Sequence, residues 1–473
     1  MLFNSFVFVG FFLLTYALYL SLGRRTRAQN LLLLVASYVF YGYWDWRFLG
    51  LLAVSTLIDF TVGKALYRAK DAHRRKLLLT ISVCANLGIL GFFKYYDFFA
   101  RSLAEVLRLV GLDPDPLTLG ILLPVGISFY TFQTMSYTID IYRGKLAPTE
   151  SLLDFALFVS FFPQLVAGPI ERARTLLPQI ERPRRIDRDQ LAAGLWLILW
   201  GYFKKVVIAD RMALIVNPVF AEQANYQGLE LVVALLAFTV QIYGDFSGYT
   251  DIARGLAKLM GFELMVNFRL PYFAINPSDF WRRWHVSFSS WLRDYLYIPM
   301  GGNRGGKART LRNLAVTMLL GGLWHGAAWN FVIWGGYHGA LLVIYRWLDP
   351  NPIDANPWRS GVARLRVVGM MALMFLLTVF GWLMFRAQSA SQILYFLSNM
   401  HQGLGRTGVE LLYNLFFFAW PLAAVQLLQY RTGDLLAVCG LPTPIRIAIY
   451  CFLFCGIIIF GVHESMEFIY FQF

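Results

Sequence analysis

Charged residues are scarce in this sequence. Only 15% of its 473 residues are Asp, Glu, Lys or Arg, whereas 58% are hydrophobic and the mean hydropathy is +0.54. A soluble protein carries roughly 25% charged residues. The shortage excludes an ordinary soluble protein and predicts an all-α, polytopic membrane protein, because a helix satisfies its own backbone hydrogen bonds within lipid.

Cysteine is equally scarce, and the signatures of several enzyme classes are missing. The four cysteines (Cys84, Cys439, Cys451 and Cys455) lie in apolar stretches without metal-site spacing, so we expect small buried apolar residues. No H-x-x-x-H, C-x-x-C, G-x-S-x-G or P-loop pattern occurs. The sequence therefore predicts no bound metal and gives no argument for a Ser-His-Asp triad.

The net charge of +14 would suggest a nucleic-acid partner in a soluble protein. In a membrane protein, Lys and Arg collect in short cytoplasmic loops, so no nucleic-acid partner is predicted. Residues 1–22 are apolar, lack a basic n-region and are followed by Arg24, Arg25 and Arg27. This pattern predicts a first span, not a cleaved signal peptide, with the N-terminus outside; the basic run 64–76 predicts the same orientation.

Apolar stretches of about 20 residues predict membrane spans. The sequence contains such stretches, or shorter paired ones, at 2–22, 30–44, 48–63, 77–93, 117–139, 190–209, 229–245, 313–346, 366–385, 409–428 and 445–463. We expect 117–139 to be kinked at Pro124 and Gly126, and 229–245 to end at the polar run DFSGYTD. Lys204 and Lys205 fit poorly with the predicted orientation. The sequence thus predicts one membrane domain, 1–473, with about nine to eleven spans.

Three further segments are not predicted to cross the membrane simply. Residues 94–116 are typical of an amphipathic surface helix. Residues 152–170 are interrupted by prolines and flanked by basic loops, so they are expected to enter the membrane and return, buried in protein or lining a wet cavity. Residues 262–312 carry eight Lys/Arg and three acids, a net charge of +5, and are interpreted as a cytoplasmic-side interfacial or re-entrant segment.

The stretch MLLGGLWHGAAWNFVIWGGYHG (318–339) predicts one apolar helix that carries His325. His325 lies 12 residues past Asn313, about 18 Å into a hydrocarbon slab of about 30 Å. An ionisable group at that depth is a functional candidate, and a neutral imidazole can accept a proton. The alternative is a structural histidine bonded to a neighbouring helix. His338 would lie some 220° around the same helix, which argues against a shared metal ion.

A second histidine, His285, lies in the basic, aromatic segment DFWRRWHVSFSSWLRDYLYIPMGGNRGG (279–306). Its arginines and glycine loop could hold the phosphates of an anionic donor. The candidate donor-binding residues are Arg282, Arg283, Trp284, Arg293, Asn303 and Arg304. The alternatives are an interfacial histidine in a basic patch and ordinary cytoplasmic positive charge. The rest of the chain is interpreted as a frame that brings His285 and His325 together, with Trp324, Trp329 and Asp245 lining the access route.

These two segments resemble the membrane-bound O-acyltransferases, most of all the bacterial branch that acetylates exopolysaccharides such as alginate. The likeness extends to SYVFYGYWD (37–45), LPVGISFYTFQTMSYTIDIYRG (123–144), FFPQLVAGPI (161–170) and YGDFSGYTDIARGLAKLMGF (243–262). The resemblance implies a ring of tilted helices around a thin centre, where funnels from both faces meet. It also implies that His325 and His285 are the two histidines of the reaction.

The resemblance further implies a bacterial inner-membrane enzyme that takes acetyl groups from cytoplasmic acetyl-CoA, a substrate and not a bound cofactor. Periplasmic relay proteins would then acetylate the exopolysaccharide. EFIYFQF (467–473) resembles a terminal aromatic motif of related acyl-export systems, in which Tyr470 matches a possible acyl relay; the alternative is an aromatic membrane anchor. Cellulose or peptidoglycan stays open as the acceptor, as does a transporter or flippase without acyl chemistry.

Overall fold

The computed structural model describes residues 1–115, 117–166, 168–348, 361–462 and 468–469. This part of the chain is helical and contains no β-strand. The first helices are α1 (Phe6–Ser21), α2 (Thr26–Asp45), α3 (Leu49–Arg68), α4 (Ala72–Leu90), α5 (Tyr96–Leu109), α6 (Ile127–Tyr142), α7 (Leu152–Ser160), α8 (Phe162–Leu165) and α9 (Ala173–Glu181). They are followed by α10 (Arg188–Phe203), α11 (Asp210–Ala221), α12 (Leu229–Leu259), α13 (Pro277–Arg283) and α14 (Val286–Leu292). The last are α15 (Lys307–His325), α16 (Trp329–Leu348), α17 (Gly361–Arg386), α18 (Ala390–Asn399), α19 (Gly408–Thr432) and α20 (Thr443–Phe460).

Seven helical stretches of the described residues are long and apolar enough to cross a membrane, and α1 is a shorter apolar helix. The predicted all-α, polytopic membrane protein is therefore confirmed. The pair 30–44 and 48–63 is confirmed as α2 and α3, which join through one 3-10 turn at Trp46–Phe48. The total of nine to eleven spans, and their arrangement as a ring, stay predictions.

Contacts divide the chain into two compact units: Met1–Gly194 with Ala253–Met265, and Leu195–Ile252 with Val266–Phe473. Helices α10 and α12 each contain a boundary between the units. The prediction of one membrane domain over 1–473 stays a prediction. Both histidines of interest belong to the second unit.

In the first unit, the expected kink within 117–139 is wrong. Helix α6 begins only at Ile127, after Gly126, whose φ of 76° favours glycine. A Cβ at Gly126 would also lie 2.5 Å from the carbonyl oxygen of Leu165. The chain therefore enters α6 from a turn, since Gly126 is a helix start and not a kink.

The expected interruption of 152–170 is confirmed. Helix α7 ends at Ser160 and the four-residue α8 follows, with Pro163 in its first turn. All of α8 and the second part of α7, residues 155–160, are buried. This irregular backbone is thus enclosed by protein, as its prolines and apolar composition predicted.

In the second unit, two predicted span ends are wrong. Helix α10 continues through a π-helical segment, Lys204–Ala209, directly into α11. Helix α12 runs for 31 residues, so the polar run 245–251 lies inside it. Polar residues do not end this helix because they face buried partners: Lys204 Nζ donates to Asp251 Oδ2 at 2.7 Å, and Lys205 Nζ pairs with Asp245 at 2.8 Å.

The continuous helix predicted for 318–339 is also wrong. Helix α15 ends at His325, the chain turns through Gly326–Ala328, and α16 returns beside it. A Cβ at Gly326 would lie 2.2 Å from the Phe331 ring, so only glycine fits the turn. At the far end, Lys307 Nζ lies 5.6 Å from the ring of Trp347. The two helices therefore form an antiparallel hairpin with His325 at its tip.

The expected burial of the cysteines is wrong, since Cys84, Cys451 and Cys455 are exposed and Cys439 is only half-buried. The exposed cysteines lie on helices whose outer surfaces are apolar, as expected for helices that face lipid. The predicted spans at 366–385, 409–428 and 445–463 correspond to α17, α19 and α20.

Candidate functional site

His325 lies at the end of α15 in a cage of aromatic rings. Its side chain is 3% exposed. Its ring centroid lies 5.0 Å from that of Trp334, 5.2 Å from Trp324, 5.3 Å from Phe288 and 5.6 Å from Phe385. The hairpin explains this position, since the end of α15 and the start of α16 meet around the imidazole.

His285 joins the short helices α13 and α14 and is fully buried. Its φ of 44° lies in the left-handed region, which histidine adopts more readily than most residues. Trp284 precedes it in extended conformation and α14 follows. This change of direction turns the imidazole inward, edge-on to Phe246 at 4.7 Å between centroids.

Asn267 fixes the protonation of His285. Ser287 donates to Asn267 Oδ1 from its backbone N–H (3.2 Å) and its hydroxyl (2.9 Å), which identifies that atom as an acceptor. His285 Nδ1, 3.1 Å from the same oxygen, therefore donates its proton to it. Burial lowers the pKa of His285 to about 3. The ring is thus neutral, and Nε2 carries the lone pair.

The two imidazoles meet in the second unit, as the sequence predicted. Their ring centroids lie 6.5 Å apart. Phe288 and Trp324 contact both rings, with centroid distances to His285 of 5.1 and 6.0 Å. Two imidazoles so close in an apolar enclosure can share one reacting group, because one can take a proton while the other orients a polar atom.

The predicted donor-binding residues divide into surface and core. Arg282, Arg293, Asn303 and Arg304 are exposed, while Arg283 is half-buried and pairs with Asp279 at 2.9 Å. Arg293 pairs with Asp294 at 2.8 Å, and the Tyr297 hydroxyl donates to Asn303 Oδ1 at 2.5 Å. Trp284 is fully buried and packs on Trp382 at 4.7 Å between centroids. Trp284 therefore supports His285 from within the core and offers no surface to a donor.

The three residues predicted to line an access route lie in different surroundings. Trp324 lies beside both histidines. Trp329 is 56% exposed on the outside of α16. Asp245 is buried in an ion pair with Lys205 and accepts the backbone N–H of Ile469 at 2.7 Å. Tyr470, the possible acyl relay, lies outside the described residues.

His325 and His338 do not share one helix, so the separation of about 220° expected around a single helix is wrong. Trp334 instead lies between them, 5.0 and 4.8 Å from their ring centroids. Within the described ranges, no cluster of three His, Cys, Asp or Glu side chains could hold a metal ion. The absence of a metal stays a prediction.

Sequence reasoning missed Asn267 and the outer rings of the cage, Phe246, Trp334 and Phe385. Asn267 lies 18 residues before His285, a separation without any helical or strand period. Two backbone bonds bring the segments together: Arg269 N donates to Arg283 O, and Val286 N to Asn267 O, each at 2.9 Å. Only the tertiary structure shows this pairing.

Comparisons with known proteins identify the family of this chain and several relatives. The sequence profile of the MBOAT, membrane-bound O-acyltransferase family, matches residues 145–384, which include both histidines and Asn267. The probable alginate O-acetylase AlgI of Pseudomonas putida is 47% identical over 394 residues, 82% of this chain and 78% of that protein. The peptidoglycan O-acetyltransferase of Helicobacter pylori is 34% identical over 445 residues, 87% of this chain and 81% of that protein. The teichoic acid D-alanyltransferase of Streptococcus thermophilus is 28% identical over 310 residues, 59% of this chain and 74% of that protein.

Proposed function

Because this chain belongs to the membrane-bound O-acyltransferase family and is a membrane O-acetyltransferase, we propose that it passes acetyl groups from cytoplasmic acetyl-CoA to the outer side of the bacterial inner membrane. There the acetyl group would modify an exported polysaccharide. The observation that carries this proposal is the 6.5 Å approach of the His285 and His325 rings, inside the region that matches the family.

His325 is the general base in this proposal. Its imidazole takes the proton of an incoming hydroxyl, whose oxygen attacks the thioester carbonyl of acetyl-CoA. The carbon–sulfur bond then breaks, and the CoA sulfur leaves with the proton that the imidazole accepted. A base held among aromatic rings suits this step, because a positioned proton acceptor contributes roughly 10²- to 10⁴-fold in rate.

His285 orients the reacting groups. Its Nδ1–H is held by Asn267 at 3.1 Å, so Nε2 presents a lone pair that can accept a hydrogen bond from an N–H group of acetyl-CoA. A neutral ring with a fixed tautomer performs this task without a change of charge. His285 therefore orients the donor, and His325 removes the proton of the incoming hydroxyl.

The exposed arginines Arg282 and Arg304 would bind the phosphates of CoA on the cytoplasmic side, together with Arg293. Arginine suits phosphate because its planar fork donates two parallel hydrogen bonds. The proposal includes an orientation in which the N-terminus lies in the periplasm and the basic segments 23–29 and 64–76 face the cytoplasm.

The final acceptor would be an alginate-like exopolysaccharide, reached through periplasmic acetyltransferase or relay proteins, and Tyr470 would pass the acetyl group on. The closer similarity to alginate O-acetylases, 47% against 34% for the peptidoglycan enzyme, supports this choice. Peptidoglycan is the second candidate, supported by the wider coverage of that relative, 87% of this chain.

The test uses the full chain in proteoliposomes with acetyl-CoA labelled in its acetyl group. The wild type should consume the thioester in the presence of a hydroxyl acceptor, whereas His325→Ala should lose roughly 10²- to 10⁴-fold in kcat. His401→Ala is the matched control, because His401 is an exposed histidine of the same unit. Full activity of a correctly inserted His325→Ala protein would refute the proposal, as would an intact thioester with the wild type.

A further inference from the structure

A buried ion cluster lies within the second unit, at the π-helical segment between α10 and α11. The Nζ atom of Lys205 lies 2.8 Å from Asp210 Oδ1 and 2.8 Å from Asp245 Oδ1. The three side chains are at most 4% exposed. Lys205 and Asp210 come from one continuous helical stretch and Asp245 from α12, so the cluster ties two helices together.

This cluster has more acceptors than donors. Two carboxylates face one ammonium, and each ionised carboxylate offers about four lone-pair sites against three N–H donors of a lysine. A buried acceptor without a donor costs about 1–3 kcal/mol. The cluster is therefore suited to bind a further N–H group.

The backbone of a distant segment supplies that group. Ile469 N donates to Asp245 Oδ2 at 2.7 Å, across 224 positions of the sequence. Phe468 and Ile469 are both buried. The hydrogen bond to an ionised oxygen is of the stronger, charge-assisted kind, so Asp245 is both a partner of Lys205 and an anchor for this segment.

The anchored segment packs against the histidine site through one aromatic layer. The ring centroid of Phe468 lies 4.7 Å from Tyr249 and 5.7 Å from Phe246. Phe246 in turn lies edge-on to His285 at 4.7 Å. Phe468 is thus one of the rings that pack against Phe246, together with Phe268 at 5.0 Å between centroids.

We propose that Lys205, Asp210 and Asp245 form an electrostatic clamp that holds Phe468 and Ile469 against Phe246 and so positions the imidazole of His285. Asp245 is a positioning residue: it acts on the reaction through the segment that it anchors. The effect on catalysis rests on the proposed role of His285, whereas the anchoring itself does not.

The test combines amide hydrogen exchange with kinetics on the full chain. In the wild type, the Ile469 amide should be protected because it is buried and bonded. Asp245→Asn weakens the acceptor and should speed exchange of a peptide that contains Phe468 and Ile469 at least tenfold. The same variant should lower kcat roughly tenfold while the KM for acetyl-CoA stays unchanged, since a shifted imidazole affects the chemical step and not the donor surface.

Ile469→Pro removes the N–H group itself and should reproduce the kinetic effect, whereas Ile469→Val keeps the N–H and should behave as the wild type. The double variant Asp245→Asn/Ile469→Pro should be no slower than either single variant, because both remove one interaction. Asp251→Asn is the matched control: this carboxylate lies on the same helix but pairs with Lys204, so exchange at Ile469 should not change.

Unchanged exchange in Asp245→Asn would overturn the clamp, and so would additive effects of the two substitutions. Faster exchange with an unchanged kcat would overturn the link to His285. Failure of the proposed function is distinct from these results: it would show as an active His325→Ala protein, whatever the exchange at Ile469.

Discussion

Gly322 of α15 lies directly against Gly335 of α16. A Cβ at Gly322 would lie 2.9 Å from the Cα of Gly335 and 2.2 Å from the carbonyl oxygen of Phe331. The close contact places the backbones of the hairpin side by side just before His325. Small residues allow this approach in membrane helices, where packing and not the hydrophobic effect holds helices together.

Gly322→Ala should therefore separate the hairpin and lower the free energy of unfolding by about 1–3 kcal/mol, the usual cost of overpacking. Thermal unfolding in detergent measures it. Gly336→Ala is the control, because its Cβ would meet only Leu319 Cδ2 at an ordinary 3.5 Å. Equal stability of the two variants would contradict the close-contact argument.

Asn267→Ala should lower kcat roughly tenfold or more, since His285 would lose the oxygen that fixes its tautomer. The buried groups left without an acceptor should also cost about 1–3 kcal/mol of stability. Asn267→Asp keeps that oxygen and should retain more activity than Asn267→Ala. Steady-state kinetics with labelled acetyl-CoA distinguishes the variants; equal activity would show that the Asn267 contact is dispensable.

His285 should also leave no inflection in the pH profile of acetyl transfer between pH 5 and 8. The ring titrates far below this range, because burial lowers its pKa to about 3. Its neutral form stabilises the fold above the ordinary pKa of 6.5, and this contribution is lost as the pH falls toward 3. A midpoint near 6.5 that disappears in His285→Gln would contradict this prediction.

The raised pKa of Glu171 should make the free energy of unfolding fall as the pH rises. Its carboxyl is fully buried, and burial raises its pKa from 4.5 to about 7, although Arg172 and Arg254 oppose the shift. Between pH 4.5 and 7, the folded chain therefore keeps a proton that the unfolded chain has released. The free energy of unfolding falls over this range by up to about 1.4 kcal/mol per pH unit. Glu171→Gln should flatten the unfolding temperature over this range, and an identical slope in both proteins would contradict the assignment.

Arg282→Ala and Arg304→Ala should each raise the KM for acetyl-CoA roughly two- to fivefold without changing kcat, as expected for exposed charge pairs. The effect should shrink at high salt, because exposed charges are screened. Arg406→Ala is the control, since Arg406 is exposed outside the segment 279–306. A fall in kcat at constant KM would place these arginines at the chemical step instead.

His338→Phe should keep or raise stability. His338 is buried between the rings of Phe280 and Trp334, and no hydrogen-bond partner of either ring nitrogen lies within the described residues. A phenyl ring of similar shape removes two buried polar atoms without leaving a large cavity. A loss of more than about 1 kcal/mol in unfolding measurements would show that the imidazole makes polar interactions.

Hydropathy identified the apolar helices, because a long helix with apolar side chains on most of its surface is stable in lipid and not in water. It could not locate the reversal at Gly326, since three small residues do not interrupt an apolar run. The poor fit of Lys204 and Lys205 was informative: these charges are buried opposite Asp251, Asp210 and Asp245. The sequence did not predict these ion pairs, which the structure shows to be the reason for the poor fit.

The site was only partly predictable. Depth and aromatic context selected His325 and His285, and the two rings do lie together. The tautomer of His285 depends on Asn267, and its support depends on Phe246 and Phe468, which are remote in sequence. Such contacts depend on how the chain folds back on itself and leave no local pattern.

The α15–α16 hairpin returns the chain to the side from which it came, as the contact of Lys307 with Trp347 indicates. The pair therefore adds no net crossing of the bilayer, however deeply its tip penetrates. The orientation of α17 to α20 is consequently fixed by the spans before Lys307, and reporter tags fused just before Lys307 and just after Leu348 would mark the same compartment.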